Sequence, residues 1–107
     1  MAARDHDLVA CEGEWDISRT REFRRRTADG LARCKSVLIL DFRPAAFVDA
    51  STVGAICALA GEAERLGVPV VVTCGAGAVR RVFDLTHLTE VVPVAESVEG
   101  ALRAARI

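Results

Sequence analysis

The residues best suited to chemistry lie together at Asp49-Ala50-Ser51-Thr52, between Phe47-Val48 and an apolar run that begins at Val53. Two hydroxyls there stand within three residues of a carboxylate. Asp49 or Ser51 can cap a helix, because a short polar side chain accepts from an orphan backbone N–H. A hydroxyl at such a junction is also a natural phosphoryl acceptor. Free N–H groups and the helix dipole favour an anion at that end. The phosphoryl group itself brings about −1.5 to −2 charges. With Asp49 two residues away, a partner fitted to a neutral hydroxyl would meet a concentrated negative site. Cap and switch are both open at this point.

The rest of the chain offers little for catalysis. A catalytic constellation needs a nucleophile with a base in reach, or clustered acids. His6 lies near the N-terminus, His87 follows a helical segment, and there is no tyrosine. No G-x-S-x-G, H-E-x-x-H or Walker lysine occurs, and Gly75-Ala76-Gly77 matches only half of a dinucleotide fingerprint. The expectation is a non-enzyme without a cofactor. Cys11, Cys34, Cys57 and Cys74 form no C-x-x-C pair, so they read as reduced, buried thiols rather than zinc ligands or a dithiol. Trp15 reads as the cover of a core edge, and His87 as a helix C-terminal residue. Arg19, Arg21, Arg24, Arg25, Arg26, Arg33 and Lys35 make a basic cluster. Without interleaved aromatics it reads as a wet helix face or a protein-docking face, and not as a nucleic-acid footprint. Arg80 and Arg81 read the same way.

Alternating strands and helices must position these groups. Asp7 to Glu14 is β-type, with Gly13 at a bulge or turn. Asp16 or Ser18 starts a helix from about Arg19 to Arg33, buried through Phe23, Thr27 and Leu31. Ser36 to Phe42 contains a continuous apolar run, as a strand buried on both faces does. Arg43-Pro44-Ala45-Ala46 is a loop, because Pro44 blocks continued pairing, and Phe47 and Val48 then re-enter the core. A helix then begins at Asp49-Ala50-Ser51 and buries Val53, Ile56, Cys57, Ala60 and Ala63. Gly67 and Pro69 stop it. Val70 to Val72 is a third buried strand. A short helix follows Gly77, with Val79, Val82 and Phe83 inward. Val91 to Val94 is an edge strand interrupted by Pro93. Glu96 to Ala105 closes the chain as a helix capped by Glu96 or Ser97. The order β-α-β-α-β-α-β-α implies a mostly parallel (mixed) sheet of four to five strands with about four helices packed beside it.

Composition agrees. The 107 residues suit one domain, 1–107. They are 51% hydrophobic and 27% charged, with a net charge of −1. That balance gives no strong field for nucleic acid or an anionic membrane. No apolar run approaches a membrane span and no secretory h-region opens the chain, so the expected location is cytoplasmic, without membrane insertion.

Four segments in order resemble the STAS family, in particular the bacterial anti-sigma-factor antagonists. Gly13-Glu14-Trp15-Asp16 is similar to the family's Gly-Glu-hydrophobic-Asp. Val37-Leu-Ile-Leu-Asp41 is similar to its apolar strand ending in Asp or Asn. Phe47-Val-Asp49-Ala-Ser51-Thr-Val-Gly54 is similar to its Asp-Ser-Ser-Gly-Leu-Gly stretch. Val82-Phe-Asp-Leu-Thr-His-Leu88 is similar to its Phe-x-x-x-Gly-Leu segment. The resemblance implies a STAS fold and partner switching. Unmodified protein binds an anti-sigma factor that is a serine kinase, phosphorylation of Ser51 ends that binding, and a serine phosphatase restores it. The kinase supplies ATP and Mg²⁺. By the same resemblance Asp16, Asp49, Ala50, Ser51, Thr52 and Val53 face the partner. Three departures stand out. Ala50 replaces the first serine. Thr52 replaces a glycine, putting a β-branched side chain where a kinase approaches and adding a second possible phosphosite. His87 replaces a glycine after the third helix. Two further readings are a non-phosphorylated STAS scaffold or transporter-accessory protein docking to an ATPase or membrane partner, and a small-ligand sensor.

Overall fold

The computed structural model describes residues 6–34 and 36–105. Met1–Asp5, and Lys35 of the basic cluster, lie outside the described residues. Among the described residues six strands and four α-helices follow in order: β1 (Asp7–Ala10), β2 (Gly13–Trp15), α1 (Thr20–Arg33), β3 (Leu38–Asp41), β4 (Ala45–Val48), α2 (Ala50–Arg65), β5 (Val70–Thr73), α3 (Ala78–Leu85), β6 (Val94–Ala95) and α4 (Val98–Ala105). Short 3₁₀ turns cover Ile17–Arg19 and Leu88–Glu90. The expected α/β class holds. Strands β1-β3-β5-β6 form one wholly parallel sheet, and β2 and β4 form a separate parallel ladder.

Side chains on successive strand residues point to opposite faces. On β3, Leu38 and Leu40 join the larger core with Val70 and Val72 of β5, Phe23 and Leu31 of α1, Ile56 and Leu59 of α2, and Phe83 of α3. Ile39 and Val71 turn the other way, onto Ala101 of α4. That two-sided burial explains why β3 and β5 read as unbroken apolar runs. Three helices thus cover one face and α4 covers the other. A line of rings, Trp15–Phe23–Phe42–Phe83, runs through the larger core with centroids 5.7, 5.9 and 5.4 Å apart.

The β2–β4 ladder is the main departure from the sequence reading. One strand was expected over Asp7–Glu14 and a loop over Arg43–Ala46. Gly13, at φ +86°, instead turns the chain out of the main sheet, and its N–H donates to the Pro44 carbonyl at 3.2 Å. Trp15 then pairs with Val48. Because neighbours on a strand face opposite ways, Val48 is buried and Phe47 is 46% exposed rather than in the core. At the other end, β6 is shorter than expected. Val91 is exposed, and the Pro93 carbonyl accepts from Val72 N–H at 2.9 Å just ahead of the edge strand. His87 ends the α3 turn in the left-handed region at φ +60°, the conformation glycine would adopt without strain. Its Nδ1 lies 2.9 Å from Glu90.

Candidate functional site

The parallel pairing of Trp15 with Val48 brings two chain segments out of the ladder side by side. Each next residue is an aspartate that caps a helical turn. Asp16 Oδ1 accepts from Ser18 N at 2.9 Å and from Ser18 Oγ at 2.5 Å. Asp49 Oδ1 accepts from Ser51 N at 3.0 Å, Thr52 N at 3.2 Å and Ser51 Oγ at 2.5 Å. The two segments are cross-tied, since Asp49 N–H donates to the Trp15 carbonyl at 3.2 Å. Asp16 and Asp49 are therefore neighbours at one end of the ladder. The spacing Asp-x-Ser, present twice in the sequence, was the signal for this pair of caps.

Ser51 is half-buried in the first turn of α2. Its hydroxyl donates to Asp49 and accepts from Thr20 Oγ1 at 3.2 Å. Hydrogen bonding from Ser51 Oγ holds the Asp49 carboxyl below the ordinary carboxylate range. The backbone N–H groups of Thr52, Ser51 and Ile17 add to this, against a contrary effect of burial. Not every N–H group at this helix start is free. The Ser51 and Thr52 N–H groups both already serve Asp49.

Thr52 and Val53 also differ from expectation. Thr52 is 1% exposed, and its hydroxyl donates to the Trp15 carbonyl at 2.9 Å. Its β-branched side chain points inward, so it neither obstructs an approach to Ser51 nor offers a second accessible hydroxyl. Val53 is buried in the larger core. Neither presents a side chain to a docking partner. The exposed residues on the segments that meet here are instead Ala50 and Gly54 of α2, Phe47 of β4 and Ile17, the last 77% exposed. Ile17 and Phe47 were not anticipated, because exposed apolar residues look like core residues in a sequence.

The basic cluster divides by role. Arg19 lies 3.6 Å from the Trp15 ring centroid, bonds Glu22, and donates to the carbonyls of Glu12 and Glu14. Arg26 donates to the Ala10 carbonyl. These two hold the β1–β2 turn and cover Trp15. Arg21, Arg24 and Arg25 remain exposed on α1. Cys11 is pushed up to about 12 by burial, which suppresses thiolate chemistry there. Cys74 is buried and shifted upward for the same reason.

The STAS domain family model matches residues 2–101. No curated protein matches the sequence. Among solved structures, the chain is similar to an anti-sigma factor antagonist from Mycobacterium paratuberculosis, at 19% identity and TM-score 0.81 over 100% of this chain and 91% of that one. It is also similar to a sulfate transporter family protein from Wolinella succinogenes, at 15% identity and TM-score 0.78 over 99% and 88%. The anti-sigma factor antagonist SpoIIAA is a third such structure. Its unphosphorylated form aligns at 22% identity and TM-score 0.75 over 100% and 94%. The phosphorylated Bacillus form aligns at 20% identity and TM-score 0.66 over 96% and 93%. Those identities carry the fold, and the family model carries the membership: this chain belongs to the STAS domain family.

Proposed function

We propose that the chain is an anti-sigma-factor antagonist, a non-enzymatic docking domain whose hold on a kinase-type anti-sigma factor is ended by phosphorylation of Ser51. The observation that carries this reading is the environment of Ser51. Its hydroxyl is half-buried and oriented by Asp49 and Thr20, and the two segments that end in the aspartate caps carry the exposed apolar side chains of Ile17 and Phe47. A partner seated on those segments would meet Ser51. In the modification, Ser51 Oγ bonds the γ-phosphorus of ATP, the bond from that phosphorus to ADP breaks, and the hydroxyl proton leaves to a base of the kinase. A dianion beside Asp49 and Asp16 then opposes docking through like-charge repulsion and desolvation. A serine phosphatase reverses the change by hydrolysis. The location that fits is the cytoplasm, where sigma factors act. Among the described residues no helix is long and apolar enough to cross a membrane.

The test is incubation with a cognate serine kinase and ATP, followed by peptide mass spectrometry. Phosphate is expected on Ser51 and absent from Ser51→Ala. No phosphate, or phosphate only elsewhere, would remove the reading. A second reading is a constitutive STAS scaffold or transporter-accessory protein, favoured by the likeness to the sulfate transporter family protein. A partner that binds wild type and Ser51→Asp equally would support that alternative.

A further inference from the structure

The Ser51, Thr52 and Val53 N–H groups at the start of α2 are already bonded to Asp49. Asp49 Oδ1 already takes the Ser51 and Thr52 N–H groups, and the Ser51 hydroxyl donates to the same oxygen. Esterification of Ser51 Oγ removes that hydrogen and leaves a dianion facing a carboxylate. The group must turn away from Asp49. The side open to it is α1, whose Thr20 hydroxyl donates to Ser51 Oγ. Thr20, Arg21 and Arg24 line one open hollow with Ile17 and Ser18.

Arg24 stands one turn beyond Thr20. It also lines the groove between α1 and α2 with Ala55, itself about one turn beyond Ser51. Helical side chains lean back toward the N-terminus. A turn rises about 5.4 Å, so the Arg24 guanidinium is carried back toward the level of Thr20 and Ser51. Arg21 is on the same hollow three residues earlier. Both are available: among the described residues neither guanidinium has an ion pair, whereas Arg19 and Arg26 are held by Glu22 and Trp15. Two forks of N–H donors suit a phosphate dianion better than any other side chains.

We propose that Arg21 and Arg24 form a built-in receptor for the phosphoryl group on Ser51. The proposal rests on reading Ser51 as the modified residue. The receptor draws the phosphate across the mouth of the α1–α2 groove, so the modified state is ordered rather than a charge swinging in solvent. The charged groups around the phosphate are Arg21 and Arg24 from α1 and Asp16 and Asp49 from the ladder ends.

The test uses the full chain with phosphoserine installed at position 51 by genetic encoding, followed by ³¹P NMR through a pH titration. Wild type is compared with the double variant Arg21→Gln/Arg24→Gln. The control is Arg25→Gln/Arg33→Gln, which removes the same charge from exposed positions of the same helix. Free phosphoserine has its second ionisation near pH ~6. The receptor is expected to lower the midpoint in wild type. Loss of Arg21 and Arg24 should raise it by at least about half a pH unit, which corresponds to a threefold change in ionisation. The control should move it much less. Equal midpoints in all three, or equal shifts in both doubles, would overturn the receptor. Because the phosphate is installed rather than transferred by a kinase, that result leaves the reading of Ser51 untouched. Conversely, failure of a kinase to label Ser51 leaves this measurement valid.

Discussion

Ser51 and Thr52 are consecutive hydroxyls with opposite surroundings. One step along a helix turns a side chain by roughly 100°. That step takes Ser51 toward Thr20 and the surface, and Thr52 toward the Trp15 carbonyl inside. Their contributions should separate cleanly. Thr52→Val removes one of two donors to the Trp15 carbonyl, the Asp49 N–H remaining, and should cost about 0.5–1.5 kcal/mol. Ser51→Ala keeps the Asp49 cap on two N–H groups and should stay within about 0.5 kcal/mol of wild type. Urea unfolding midpoints at unchanged m-values measure both. Equal losses would mean that the Ser51 hydroxyl is as structural as its neighbour. Asp49 was legible as a cap from its type and position. The burial of Thr52 was not, because its acceptor lies 37 residues away in β2.

At the scale of elements, two helical glycines make opposite demands. Gly30 lets α1 sit down on the sheet. A Cβ there would lie 2.7 Å from Val9 Cγ2 and 3.4 Å from Leu38 Cδ1. Gly61 on α2 has nothing within 4 Å of that position. Gly30→Ala should crowd the α1–β1 contact by about 1–3 kcal/mol. Helix propensity returns only about 1 kcal/mol, so the net change is a loss. Gly61→Ala gains the propensity without the crowding and should stabilise by about 1 kcal/mol. Thermal unfolding of the two variants should therefore shift in opposite directions. Shifts of the same sign would contradict the close seat of α1. The helices themselves were readable from their apolar spacing and stops. The ladder of β2 and β4 was not, since each strand is only three or four residues long and shows its pattern only when paired.

Across the whole molecule, Asp41 joins the two sheets. It sits buried at the end of β3 and accepts from Thr73 Oγ1 of β5 at 2.9 Å. It also takes Arg43 Nε at 2.8 Å, Arg43 Nη2 at 3.1 Å and the Arg43 N–H at 3.1 Å, in the turn that leads to β4. Burial raises its pKa. The bonds from Arg43 and Thr73 outweigh burial, and the carboxyl ends below its ordinary value. A carboxylate depressed in the folded state stabilises fully above the unfolded value of about 3.9. That contribution is lost as pH falls through the lower folded value. Stability measured by urea midpoints should therefore decline as the pH drops from about 5 to below 4. Asp41→Asn should be less stable than wild type at pH 7 and decline less steeply over that acid range. An equally steep decline in the variant would assign the acid sensitivity elsewhere, Asp49 being the next candidate.

The order of apolar runs, caps and stops in the sequence by itself determined a parallel α/β domain and the chain position of the helix that begins at Asp49. Periodicity and capping are local, and each segment carries its own record of them. Only the tertiary structure decided which hydroxyl is buried, that Phe47 and Ile17 are exposed, and that Thr20 meets Ser51. Those relations depend on the register of β2 against β4 and of α1 beside α2. Such register is set by packing between residues some 30 positions apart, and no single segment records it.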